Sequence, residues 1–511
     1  MNLIEFWNKL AVAALLGSHH DGELSLSEPF PPGLVESLRE ETREGRLLTA
    51  AAFTDVYLRA GVVLENAEPT LIPAAATESL TPVNAGADAH LAILLTGEHD
   101  GVLAQWLAAA AKAEKRAHFR HLPNLLKLAV KDRSLAENIR KVAGQRGAWL
   151  AGRNTAWNGI FSTDDASIWE TGNLRDRKAV LRQKRSTDAA GARLMLEMLW
   201  NKESAEAREA FVEVMWTGLS MADAQFLNTA CQDRHKAVRS AAAKLLMALP
   251  ESEFSRGLQA RLEVLLQIGG TEKSKILKKS QPRLIVQLPQ AGDNGADHWC
   301  PAVPAGSTVG ERAWQLAQMM PAVAPRYWQH KWDMNAQQIL ILADKHEFEM
   351  ALLYGWSSAA VIHRDATWCE CLIRTWLGPK CVNMDYQRQI RKLVKAISPT
   401  ERETSLQRLL GEIIGGSRMM DGLVLLEAAD HDWSIGFSRF VVTFLHQMAG
   451  DQQNKSALRH CAPIGLCIHP AVANLLVEAT VHDGASGAPA TGWSQTVAMV
   501  VFRNQMFKEL A

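Results

Sequence analysis

The chain has 511 residues, 47% hydrophobic and 22% charged, with 55 Lys plus Arg against 55 Asp plus Glu. This is roughly three domains' worth of sequence at about 150 residues each, and too apolar for a disordered or low-complexity chain. Zero net charge excludes a protein whose whole surface grips nucleic acid, and no apolar run approaches the roughly 18–20 residues of a membrane span.

At the start, Leu3, Phe6, Trp7, Leu10, Ala14 and Leu15 fall at helical spacing and predict a buried first helix. The apolar run Leu10–Leu16 is short for a secretory signal, and Glu5 stands where a basic region would be needed. The expected compartment is therefore the cytoplasm. Cysteine usage agrees, since seven residues without regular spacing do not read as a disulfide framework. Residues 1–90 are read as an N-terminal helical segment, closing in a stretch that carries Pro69, Pro73 and Pro82.

Helical periodicity dominates residues 91–270. Its clearest stripe is Val238, Ala241, Ala242, Leu245, Leu246 and Leu249, stopped by Pro250. Before it come a helix at 221–231 and the turn Gln232-Asp-Arg-His235. An earlier pair runs from Ala189 to Trp200 and from Ala205 to Leu219, with Arg208 and Arg239 at matching places in the two second helices. Such pairs cannot bury their apolar faces alone and are expected to stack. Residues 271–310 carry four prolines, four glycines and the basic run Lys273, Lys275, Lys278 and Lys279. They read as a linker, with strand character only at 283–288. Residues 311–511 read as a C-terminal helical domain. The expected fold is all-α: a solenoid of helix–turn–helix stacks, then a linker and a second helical domain.

Sixteen Trp stand against four Tyr. Most, including Trp106, Trp328 and Trp376, end or interrupt apolar helical patterns, so packing between helices is expected before recognition.

The possible chemical sites are weak. Cys369 and Cys371, with Cys381 and His363, do not make a zinc site, because a Cys-x-Cys on a helix points its two thiols apart. Cys461, Cys467 and His469 read the same way. His346-Glu347 lacks a second His one turn later, and His431-Asp432, His482-Asp483 and His19-His20-Asp21 read as helix caps. Gly484 to Pro489 holds no nucleophile elbow. No catalytic residue, metal or cofactor is assigned, and the activity reading leans towards no enzyme.

The sharpest feature is a basic cluster of Arg175, Arg177, Lys178, Arg182, Lys184 and Arg185, opposed only by Asp176. Arg175, Lys178 and Arg182 share one helical face. A local field of this kind fits phosphate backbone, an acidic protein surface, or no partner beyond neighbouring carboxylates.

The segment Cys231-Gln-Asp-Arg-His-Lys-Ala-Val-Arg239, continuing to Leu249, resembles the turn and second helix of a HEAT repeat. The resemblance implies that Asp233 and Arg239 make ladder contacts between neighbouring repeats. Val130-Lys-Asp-Arg133, followed by Asn138-Ile-Arg140, is a poorer match. The whole chain also resembles a family of uncharacterised bacterial proteins of similar length. That resemblance rests on phrases such as Ala13-Ala-Leu-Leu-Gly17, Gly144 to Ala151, Leu194 to Glu203, Gly218 to Asp223 and Tyr354-Gly-Trp356. Members of that family are encoded beside MoxR-type AAA+ ATPases, von Willebrand factor A proteins and SWIM zinc-finger proteins. The resemblance implies a part in an assembly with an AAA+ ATPase or a von Willebrand factor A protein. Stacked helix pairs make extended concave surfaces rather than deep, dry pockets, so the expected function is a non-catalytic scaffold or adaptor, and with no membrane-length apolar run no membrane partner is expected. The alternative is a nucleic-acid-binding HEAT-like protein, acting on bases through the ridge at 175–185, with Trp169 and Glu170 close by.

Overall fold

The computed structural model describes residues 3–17, 33, 36, 42–60, 72–99, 101–161, 165–269, 282–290, 296–304, 306–344, 346–378, 381, 385–414, 419–450, 455–483 and 491–511. The run at Lys273–Lys279, the residues His19-His20-Asp21 and the segment 484–490 lie outside these. The chain divides into two compact units, Met1–Ala74 and Ala75–Ala511.

In the first unit the helices Leu3–Leu16 and Arg43–Ala60 close over Phe6, Leu10 and Ala50. The first helix is only half buried. Ile4, Val12, Leu15 and Leu16 are exposed, because a single partner helix can cover one stripe and this helix is apolar on nearly every face.

Among the described residues, the second unit is all-α apart from two short two-stranded pairings. Nine of its described helices begin where the sequence supplies a side-chain acceptor for the open N–H groups. Asn84, Asp132, Asn173, Asp188, Ser204, Ser252, Asn335, Asp365 and Ser398 each cap a helix in this way. The predicted stripe holds in the helix Lys236–Met247, where Val238, Ala242, Leu245 and Leu246 are fully buried.

Strand Leu266–Gly269 pairs antiparallel with Arg283–Val286, Leu266 facing Val286. The strand character at 283–288 is therefore real over its first four residues. No local pattern announces its partner, because Leu-Gln-Ile-Gly directly continues the helix Glu253–Leu265. The described end of the supposed linker is packed. Trp299 and Cys300 are buried, and the His298 and Trp299 carbonyls accept hydrogen bonds from Arg239 and Ser240. One buried apolar cluster runs through it from Trp169 to Val500.

Along the unit many helices pack on the next or on the next but one. Helices Leu174–Thr187, Ala205–Val214 and Lys236–Met247 follow one another in contact. So do Ala366–Trp376, Pro399–Ile413 and Ile435–Gly450. Polar ties recur at near-constant separation: Arg326 to Asp365 across 39 residues, Arg374 to Glu412 across 38, Arg391 to Glu427 across 36 and Lys395 to Asp430 across 35. A second buried cluster, Val83 to Ile160, is completed by Met506 and Leu510 of the last helix, Thr491–Leu510. The end of the unit thus packs against its beginning.

Most tryptophans are core residues, as expected. Trp106, Trp328, Trp356, Trp368, Trp376 and Trp433 are fully buried, whereas Trp7 and Trp216 are exposed. Among the described residues, no helix is long and apolar enough to cross a membrane.

Candidate functional site

The basic cluster lies on the helix Leu174–Thr187, begun by Asn173, whose side chain accepts from the Asp176 N–H. The structure separates its six cations. Arg175 reaches Asp132 at 3.1 Å, Lys178 reaches Glu213 at 3.6 Å and Lys184 reaches Asp188 at 3.2 Å. Arg177 pairs with Glu203 and lies over the rings of Trp169 and Phe211, at 4.9 and 5.0 Å from their centroids. Arg182 is exposed and, among the described residues, has no carboxylate partner.

Arg185 is not a ridge residue at all. Its side chain is fully buried, with Nη1 and Nη2 on the two oxygens of Asp223 at 3.0 and 2.9 Å. Its remaining donors go to the carbonyls of Ala189, Met215, Thr217 and Gly218. Asp223 also accepts from Arg193 at 2.9 Å and from the Ser220 N–H at 3.0 Å. Burial alone would raise the Asp223 carboxyl, but the hydrogen bonds from Arg185, Arg193 and Ser220 outweigh it and hold it below the usual range. Charge patterning conceals this role, because Arg185 is the last of a run of like charges. The signal was its place on the same helical stripe as Leu181.

At the turn Gln232–His235, Asp233 accepts from Arg208 at 2.7 and 3.2 Å, a pair with both side chains nearly buried. Arg239 donates to the backbone carbonyls of Asp233, Arg234 and His298 and not to the Asp233 carboxylate. Arg208, Arg239 and Arg402 each donate to the carbonyl five residues earlier, at 2.5, 2.9 and 3.2 Å. The recurrent device is thus an arginine in the first turns of a helix that ties down the turn before it.

The seven cysteines form no disulfide in the described structure and are mostly buried. Burial pushes the Cys369 thiol up to about 12 and those of Cys461 and Cys467 to about 11, which removes their nucleophilicity at neutral pH. His363 is tied by Nε2 to the Pro321 carbonyl at 2.8 Å, away from any thiolate role.

Sequence reasoning missed a cleft of about 920 Å³ where the last helix meets the helix Val102–Lys112. Arg503 forms its floor, with Lys112 and Lys508 at the rim and Ala109, Trp433, Pro470 and Phe507 among its apolar walls. These residues are far apart in sequence, and no local spacing announces them.

The profile of one protein family, described as Family of unknown function (DUF5691), matches residues 9–510. The chain belongs to the DUF5691 family. No curated protein and no solved structure matches it. DUF5691 membership therefore carries no activity to this site, and the chemistry must be read from the residues.

Proposed function

We propose that this DUF5691 protein is a non-catalytic scaffold or adaptor, a HEAT-like α-solenoid that presents helix faces to protein partners. The supporting observation is the helix Ala189–Leu199. Ala192 and Leu196 bury its inner face, while Leu194 is 55% and Met198 80% exposed one turn apart on the outer face. Apolar side chains left open together on an otherwise well-packed helix mark an interaction surface. Trp216, 45% exposed just after the second helix of the same pair, is of the same character. Seven cysteines without the spacing of a disulfide framework suit a cytoplasmic location. Resemblance to proteins encoded beside MoxR-type AAA+ ATPases and von Willebrand factor A proteins makes those the first partners to try.

The test is capture from the native organism with bait at natural abundance, wild type against Leu194→Asp/Met198→Asp. A partner of fixed stoichiometry, held by the wild type and lost by the double variant, supports the reading. The same partner held equally by both removes this face from it. The nucleic-acid reading has one observation in its favour, the exposed Arg182, which has no carboxylate partner among the described residues. Carboxylates answer the other exposed cations of the ridge, which leaves little net field for phosphate.

A further inference from the structure

Among the described residues, the second unit has four buried arginines, and they are not treated alike. Arg185 and Arg208 each face a carboxylate, Asp223 and Asp233. Arg402 spends its donors on the Ile397 and Lys395 carbonyls and on His431. Arg503, only 2% exposed, donates from Nε to the Gln105 side chain at 2.7 Å and from Nη1 to the Gly465 and Ile468 carbonyls at 2.7 and 2.5 Å. Among the described residues, its Nη2 has no partner, and no carboxylate is in ion-pair contact with the guanidinium. Asp432 and Cys467 are near enough to act on it through space, but burial dominates and draws it down to about 10. A buried cation held only by neutral acceptors is costly unless an anion completes it.

That anion has room. Arg503 lines the 920 Å³ cleft, and the two other cations of its lining, Lys112 and Lys508, are exposed at the mouth. The rest of the wall is largely apolar. Asp432, Cys467 and His469 are the other titratable side chains there, and burial keeps the Cys467 thiol protonated at neutral pH. The adjoining cleft of about 410 Å³ holds Glu427 and Asp430, but Arg391 and Lys395 already pair with these, at 2.8 and 2.7 Å.

We infer that this cleft is a binding site for a small amphipathic anion, its carboxylate or phosphate group on Arg503 and its apolar body against Trp433, Pro470 and Phe507. Arg503 supplies preorganised donors, because three hydrogen bonds fix its plane before the ligand arrives. Lys112 and Lys508 supply attraction at the entrance. The site lies between the helix Val102–Lys112 and the last helix, so occupancy also stabilises their contact.

The experiment is titration calorimetry of the full chain with octanoate and octyl phosphate, against octan-1-ol and octyltrimethylammonium as neutral and cationic probes of equal length. The expected result is binding of at least one anion at or below about 1 mM, tenfold or more tighter than either control. Lys112→Glu/Lys508→Glu changes only exposed rim residues and should weaken anion binding about tenfold while leaving the melting temperature of the apo-protein unchanged. Arg503→Gln should abolish the anion preference. If that variant fails to fold, the lysine reversal still decides. Equal affinity for anion and controls overturns the inference, as does octanoate or octyl phosphate binding that the lysine reversal does not weaken. So does the absence of anion binding to about 1 mM.

Discussion

Arg185 shows how a residue conspicuous in the sequence can be closed off from solvent by its own partners. Its guanidinium closes on Asp223 and four carbonyls inside the protein, so its charge does not reach solvent. Removing one member leaves the other charged and buried without its partner. Asp223→Ala is expected to cost about 3–5 kcal/mol in urea unfolding. A loss comparable to that of an exposed pair would mean that the cage is not closed in solution. The pH dependence has a definite sign. The folded Asp223 carboxyl sits below its ordinary value, so the unfolded chain binds more protons as pH falls, until the folded group itself protonates. Its contribution to stability is full above the ordinary aspartate range and is lost as pH drops through the folded value. Asp223→Asn should remove that part of the acid lability. Gly218 supports the same cage from a left-handed turn, φ +65°, where an added Cβ would lie 2.9 Å from the Arg185 carbonyl oxygen. Gly218→Ala should therefore destabilise by about 1–3 kcal/mol.

At the scale of elements, the contrast is between two successive helices. Leu174–Thr187 carries the charge and Ala189–Leu199 the exposed apolar stripe. If Arg175, Lys178 and Arg182 gripped phosphate, duplex binding would fall with salt at a log–log slope of about −3. The pairing of Arg175 with Asp132 and of Lys178 with Glu213 predicts no detectable binding at about 150 mM salt, and the triple change to Glu should leave the fold intact. Micromolar binding at that salt, lost in the triple variant, would promote the nucleic-acid reading. The helices themselves were legible in the sequence because a stripe such as Val238, Ala242, Leu245 and Leu246 is a local, periodic signal, and so is a cap such as Ser204 or Asp188. The strand Leu266–Gly269 was not legible, since its partner lies beyond a long insertion and strand identity is settled by pairing. Asp233 was recognisable as a turn residue. That Arg208 takes its carboxylate while Arg239 takes backbone carbonyls depends on how neighbouring helices stack, which no single turn encodes.

At the scale of the whole second unit, the last helix joins both buried clusters. Trp493 and Val500 enter the large one, and Met506 and Leu510 the one built by residues 83–160. Asn84 donates to the Glu509 carbonyl at 2.7 Å, and Lys115 to that of Leu510 at 3.3 Å, so polar ties reinforce the apolar contact. A linear stack of helix pairs has independent ends and frays from them, because each pair touches only its neighbours. Joining the ends removes that freedom. Amide exchange in Val102–Lys112 should then follow the same opening free energy as exchange in Thr491–Leu510, despite their separation in sequence. Met506→Ala, at a fully buried position, should cost about 2–5 kcal/mol and lower protection in both helices together. If protection fell only in the last helix, residues 83–160 would be stable without it, and the contact between the two ends would be an addition to the fold rather than one of its supports.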